Sequence, residues 1–192
     1  MRQSKIERNT KETQIALSLN LDGTRQNCID TGIGFLDHML ELVSCHSDFD
    51  LSIKCVGDLK VDGHHSVEDI GIVLGKAILE CLGDKKGIQR YSTFTIPMDE
   101  SLATVSVDIS GRPYLVFNAE FEGKIGDFDT ELIEEFFRAV ATYGGITLHI
   151  NLQYGENNHH KAEAIFKAFA HAMKEATKIV CDYIPSSKGM LE

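Results

Sequence analysis

At 192 residues with 43% hydrophobic content, the chain can bury the core of one substantial domain or two small ones. A formal net charge of -10, with no clustered Lys or Arg, excludes a surface that tracks nucleic-acid phosphates. No apolar run approaches a membrane span and Met1-Arg2-Gln3-Ser4-Lys5 lacks the apolar stretch of a signal peptide, so a soluble, cytoplasmic protein without a membrane partner is expected.

From Glu12 the chain alternates, with Ile15, Leu17, Leu19 and Leu21 on one side of a half-buried strand that turns at Asp22-Gly23. Gln26 to Thr31 reads as its hairpin partner. Helical spacing follows from Gly34 to Val43, then a third strand through Phe49, Leu51, Ile53 and Cys55. After Asp62-Gly63, a helix with the buried stripe Val67, Ile70, Leu74, Ile78 and Cys81 runs to a stop at Gly83. The order then repeats. Glu100 to Gly111 matches Glu12 to Gly23, Tyr114 to Phe121 repeats the hairpin partner, and Glu131 to Tyr143 repeats the helix, with Asp129 or Thr130 as its N-cap. Ile146, Leu148, Ile150 and Leu152 alternate, and a last long helix buries Ala162, Ile165, Phe166, Phe169, Met173 and Ala176.

This pattern predicts an α+β fold: an internally duplicated sandwich of two β-β-α-β-α halves, about 1–95 and 96–192, with helices packed on mostly antiparallel sheets. No Gly/Ser/Pro-rich linker interrupts the chain near Pro97, so one domain over 1–192 is expected. The five cysteines, Cys28, Cys45, Cys55, Cys81 and Cys181, show no C-x-x-C spacing and read as reduced packing residues.

Each of the two long helices opens on the same motif: His64-His65-Ser66-Val67-Glu68 and His159-His160-Lys161-Ala162-Glu163. In H-H-x-x-E the first His and the Glu lie i, i+4 on one helix face, and the second His is turned by about 100° from them. One such motif is more often surface, but two matched copies in which only the ligand-type residues and the core stripe recur point to a two-metal site. His149 faces away from the apolar side of its strand and His38 lies among polar helix positions, which brings the count to six imidazoles and two carboxylates. Helix geometry gives His64 and Glu68 to one ion and His65 to the other, with His159 and Glu163 sharing an ion and His160 left to its neighbour. The expected division, in which helix geometry does not itself place His38 or His149, is His38, His65, His159 and Glu163 for the first ion, and His64, Glu68, His149 and His160 for the second. Imidazole-rich sites suit Zn, Fe or Ni, and composition does not choose the metal. His46 and His171 are left as surface or supporting residues.

The stretches Gly32-Ile33-Gly34-Phe35-Leu36-Asp37-His38-Met39, Asp62 to Asp69, Ser110-Gly111-Arg112-Pro113-Tyr114-Leu115, Gly155 to Ala164 and Ser186-Ser187-Lys188-Gly189 together resemble the imidazoleglycerol-phosphate dehydratase family over nearly the whole chain. The resemblance implies a lyase of histidine biosynthesis with two Mn(II) ions per subunit, a cytoplasmic location and a homo-oligomeric shell of twenty-four subunits with active sites between them. It also implies that Glu12, His38, His64, Glu68, Arg90, Arg112, His159, Lys167, Ser186 and Lys188 bind a small phosphate substrate.

The proton lost in that reaction is acidified by no carbonyl, so a metal on each nitrogen of the substrate ring would stabilise an imidazolate. Electron push would then expel hydroxide through a diazafulvene-like species, and a carboxylate would take the neighbouring proton. Glu12 is the favoured base and Glu163 the second candidate. Small residues in the Ser186 to Gly189 tail are expected to offer an anion nest beside Lys188. Two other classes compete: a two-metal phosphohydrolase, which would release phosphate, and a ferritin-like metal store, which would be a helical bundle.

Overall fold

Alternating apolar residues build strands and i, i+4 stripes build helices along the whole of the computed structural model, which describes residues 1–191. The first half holds β1 (Gln3–Asn9), β2 (Thr13–Asn20), β3 (Asn27–Asp30), α1 (Gly34–Ser47), β4 (Asp50–Gly57) and α2 (His64–Leu82). The second holds β5 (Tyr91–Met98), β6 (Ser101–Asp108), β7 (Tyr114–Asn118), the short pair β8 (Lys124–Ile125) and β9 (Phe128–Asp129), α3 (Leu132–Gly144), β10 (Thr147–Tyr154) and α4 (Asn158–Ala176). Two sheets carry the same strand order, β1-β2-β4-β3 and β5-β6-β10-β7, so the duplication read in the sequence is a duplication of topology.

Three local expectations are corrected. The segments at Gln26 to Thr31 and Tyr114 to Phe121 are not hairpin partners: β3 runs parallel to β4, with Asn27 opposite Leu51, and β7 runs parallel to β10, with Tyr114 opposite Thr147. The true hairpin partners of β2 and β6 are β1 and β5, antiparallel edge strands, so each four-stranded sheet has one strand more than the periodicity announced, and the second half adds the short β8-β9 pair. An edge strand needs little apolar content, and β1 offers Ile6 alone. Neither Asp129 nor Thr130 caps α3: Thr130 donates its hydroxyl to the Gly123 carbonyl at 2.7 Å and Asp129 pairs with Lys124. Of the cysteines only Cys55 and Cys81 are buried, where burial pushes both thiols up, Cys81 to about 11. Cys28 and Cys45 are exposed rather than packed.

Each half crosses to the other through its helices. α2 covers β1, β2 and β4, and α4 covers β5, β6 and β10, while α1 packs on α4 and α3 packs on α2. One hydrophobic cluster therefore runs from Ile15 and Leu36 to Phe166 and Met173. The α2/α3 crossing is held close by glycines: a Cβ at Gly71 would stand 2.8 Å from both the Phe136 carbonyl oxygen and the Ala139 Cβ, and one at Gly75 would stand 2.8 Å from the Val140 carbonyl. Among the described residues no helix is long and apolar enough to cross a membrane.

Candidate metal centre

Packing of α1 on α4 brings a histidine of one half to a motif of the other. His38, from the second turn of α1, joins His159 and Glu163 of α4 so that one donor atom of each lies within 4.8 Å of the others. Glu163 Oε2 is 3.3 Å from His159 Nε2 and 3.8 Å from His38 Nε2. Donors around one first-row ion stand roughly 3 to 4.2 Å apart, so side-chain movement of under about an ångström would close this set on a metal. Phe35 supports the cluster, its ring meeting that of His159 edge-on at 5.4 Å. Burial alone raises the Glu163 carboxyl, but a 2.6 Å bond from Lys167 Nζ to Oε1, then the charges of Lys167, His38 and His159, outweigh it and hold Glu163 anionic below its ordinary range. Lys167 thus touches a proposed ligand directly.

The second histidine of each motif turns to a different carboxylate. His65 Nδ1 lies 3.1 and 3.2 Å from the two oxygens of Asp58, and its Nε2 lies 3.8 Å from Glu12. His160 Nδ1 lies 2.6 Å from Glu100 Oε2, with Nε2 3.7 Å from Asp99. Asp58 chiefly raises the His65 pKa, and Glu100 chiefly raises that of His160. Glu100 is itself held down to about 2, first by the backbone N–H of Asn157 and then by His160. The N-cap of α4 fixes this corner, because the Asn157 side chain accepts from the N–H groups of His159 and His160.

The chain alone does not gather the two four-donor sets. His65 keeps company with Asp58 and Glu12 rather than with His38, His159 and Glu163. His64 and Glu68 are half-buried at the start of α2, where the His64 N–H donates to Asp62 at 2.8 Å. His149 is exposed, opposite Ser106 on β6, on the sheet face turned away from α4. Of the expected phosphate residues, Arg90 and Arg112 converge on Asp108, and the turn that holds Ser186 and Lys188 is tied to Arg90. Arg90 donates to Asp108 at 2.7 Å and to the Pro185 carbonyl at 2.7 Å, Arg112 lies 3.9 Å from Asp108, and the Pro185 contact ties the Ser186 to Lys188 turn to the same corner. Arg90 is buried with φ 73, which makes it the anchor of that tail as much as a donor. The expected nest is partly closed on itself, since the N–H groups of Lys188 and Gly189 donate to Ser186. His46 and His171 lie apart, half-buried with ring centroids 5.2 Å from each other.

Sequence reading passed over Asp58, Glu100 and Asp108. The repeat held a signal for Glu100, which stands one residue before β6 as Glu12 stands before β2. Asp58 and Asp108 carried none, since lone aspartates at strand ends are ordinary surface residues.

Comparison with known proteins puts this geometry among relatives. The family described as imidazoleglycerol-phosphate dehydratase matches residues 31–173. The chain is 62% identical over 192 residues to an imidazoleglycerol-phosphate dehydratase of Clostridioides difficile, covering 100% of both, and 58% identical to one of Lactococcus lactis subsp. cremoris, covering 100% of this chain and 98% of that one. Its fold is similar to the crystal structure of the Staphylococcus aureus imidazoleglycerol-phosphate dehydratase, with a TM-score of 0.85, 49% identity and coverage of 93% and 99% of the two chains. The Pyrococcus furiosus structure, solved with (S)-C348, gives 0.85 at 36% identity over 97% of this chain and 100% of that one.

Proposed function

The chain belongs to the imidazoleglycerol-phosphate dehydratase family, and we propose that as this hydro-lyase of histidine biosynthesis it converts D-erythro-imidazole glycerol phosphate to imidazole acetol phosphate with two Mn(II) ions per subunit. The observation that carries the metal assignment is the convergence of His38, His159 and Glu163 from opposite halves of the chain. Two ions held by such residues would supply Lewis-acid stabilisation of the negative charge that develops on the substrate ring. His38, His65, His159 and Glu163 are the residues for the first ion, and His64, Glu68, His149 and His160 for the second.

Glu12 is the better base. Its exposed carboxylate receives no hydrogen bond among the described residues, whereas Glu163 already accepts from Lys167. A free carboxylate beside the imidazole pair can take the proton from the carbon next to the hydroxyl-bearing one, and the resulting enol becomes the ketone. Arg112 and Lys188 reach the phosphate from the corner that Arg90 and Asp108 hold in place.

Geometry also supports assembly. The His/Glu cluster sits at the Ser101 end of β6 and the phosphate corner at its Asp108 end, seven residue steps or roughly 23 Å away. One substrate is far shorter, so the metal donors of one subunit work with the phosphate corner and His149 of another. We place the chain in a homo-oligomer of twenty-four copies in the cytoplasm. The experiment is turnover on imidazole glycerol phosphate by chelator-stripped protein, before and after adding Mn(II), with metal content and subunit number measured on the same sample. Ketone formation returning with about two metals per subunit supports the reading. Phosphate release in place of ketone would overturn it in favour of a hydrolase.

A further inference from the structure

The imidazoles turned away from each motif's own Glu share a feature that the family reaction does not require of any residue so far named. His65 and His160 both present Nδ1 to a carboxylate, and those carboxylates come from different places in the duplicated halves. In the second half it is Glu100, the residue before β6; in the first it is Asp58, after β4, while Glu12, the residue before β2, faces the Nε2 side.

We infer that Glu100 and Asp58 are positioning residues that hold the Nδ1–H of His160 and His65 and so present Nε2 of each ring as the metal donor. This rests on the two-metal reading above. A neutral imidazole carries one proton, so a ring whose Nδ1–H is held by an acceptor has its lone pair on Nε2. Glu100 is built to be that acceptor. Its Oε1 receives the backbone N–H groups of Asn157 at 2.8 Å and Glu156 at 3.1 Å and the Ser101 hydroxyl at 3.2 Å, which leaves Oε2 to His160 alone at 2.6 Å. The duplicate of Glu100 is thereby free: with Asp58 holding His65, Glu12 keeps an unbonded carboxylate for the proton. The two copies of one carboxylate have divided the work between positioning and chemistry.

Glu100→Gln separates this role from a packing role. The three donors fix the amide oxygen in place of Oε1, so the amide NH2 must face His160 Nδ1, which then becomes the acceptor and moves the proton to Nε2. Magic-angle-spinning NMR of metal-free, 15N-histidine-labelled protein reads the tautomer, with the His160 signals identified by their loss in His160→Gln. The expected result is Nδ1–H in the unsubstituted protein and Nε2–H in Glu100→Gln, with affinity for one of two Mn(II) ions lowered roughly 10- to 100-fold. Asp58→Asn should do the same at His65. An unchanged His160 tautomer, or Mn(II) affinity within about twofold, would overturn the inference. Failure of the unsubstituted protein to take up Mn(II) would instead overturn the two-metal reading on which it rests.

Discussion

The motifs at His64 and His159 are written in nearly the same residues and begin helices in equivalent places, yet among the described residues only the His159/Glu163 pair is joined by a third donor, His38. Matching the buried positions Leu36, Met39 and Leu40 of α1 with Ile133, Phe136 and Phe137 of α3 puts Glu135 where His38 stands. Glu135 is engaged by Arg138 at 3.5 Å, and α3 carries no histidine that could meet Glu68. The two helix starts match, while the helices that face them, α1 and α3, differ. A motif alone therefore does not make a site; the element packed across from it does.

Glu163→Gln attacks the better assembled side and should have the largest effect, loss of one ion and a fall in kcat on the order of a thousandfold. Metal analysis and turnover check it, and full activity with two ions bound would remove Glu163 from the ligand set. Lys188→Ala should raise KM roughly 10- to 100-fold, the worth of a hydrogen bond to a charged group, while metal content stays unchanged. An unmoved KM would take Lys188 out of the phosphate corner.

Gly71→Ala tests the crossing behind the first motif, where backbone blocks a Cβ, and should cost about 1 to 3 kcal/mol by urea unfolding. Gly34→Ala at the start of α1, whose Cβ would meet nothing within 4 Å, is the near-neutral control. The smallest effect concerns the other crossing. Burial, then nearby cationic groups, pushes His46 and His171 below 6.5, with Lys174, Lys167, Arg25, Asp48 and Glu163 as the surrounding charges. The unfolded chain takes up these protons at about 6.5 and the folded one only at lower pH, so the contribution of His46 and His171 to the stability of metal-free protein should fall as pH drops below 6.5, opposite in sign to that of His65 and His160, whose pKa values are raised. His171→Asn should flatten that slope, and an unaltered slope would assign it to other groups.

Much of this was legible in the sequence, for reasons that can be named. Strands such as β2 and β6 bury every second residue, so alternation found them, and the i, i+4 stripe of α2 and α4 found their motifs. Edge strands β1 and β5 escaped because one neighbour suffices to hold them. The parallel pairing of β3 on β4 and β7 on β10 escaped because a strand's own residues do not name a partner that lies beyond an intervening helix. Nothing within α1 announces that α4 packs there, so the residues around His38 do not by themselves separate a ligand from a helix-surface histidine. His149 was read onto the correct side of its strand, but distance along the sheet is invisible to periodicity, and so was its placement at the end away from His160.

The crossings α1 on α4 and α2 on α3 are, under the pseudo-twofold, one contact made twice. Two half-length chains related by a twofold axis would make both, each lending its first helix to the other's second. Such an ancestor would have been bound to identical sites, because every substitution would fall on both at once. A covalent join between Leu82 and Tyr91 lifts that constraint, and the unlike fates of Glu12 and Glu100, and of His38 and Glu135, are what independent descent within one polypeptide permits. The same join makes the molecule a natural subject for fragment complementation, in which separately produced halves recover each other through the crossings alone.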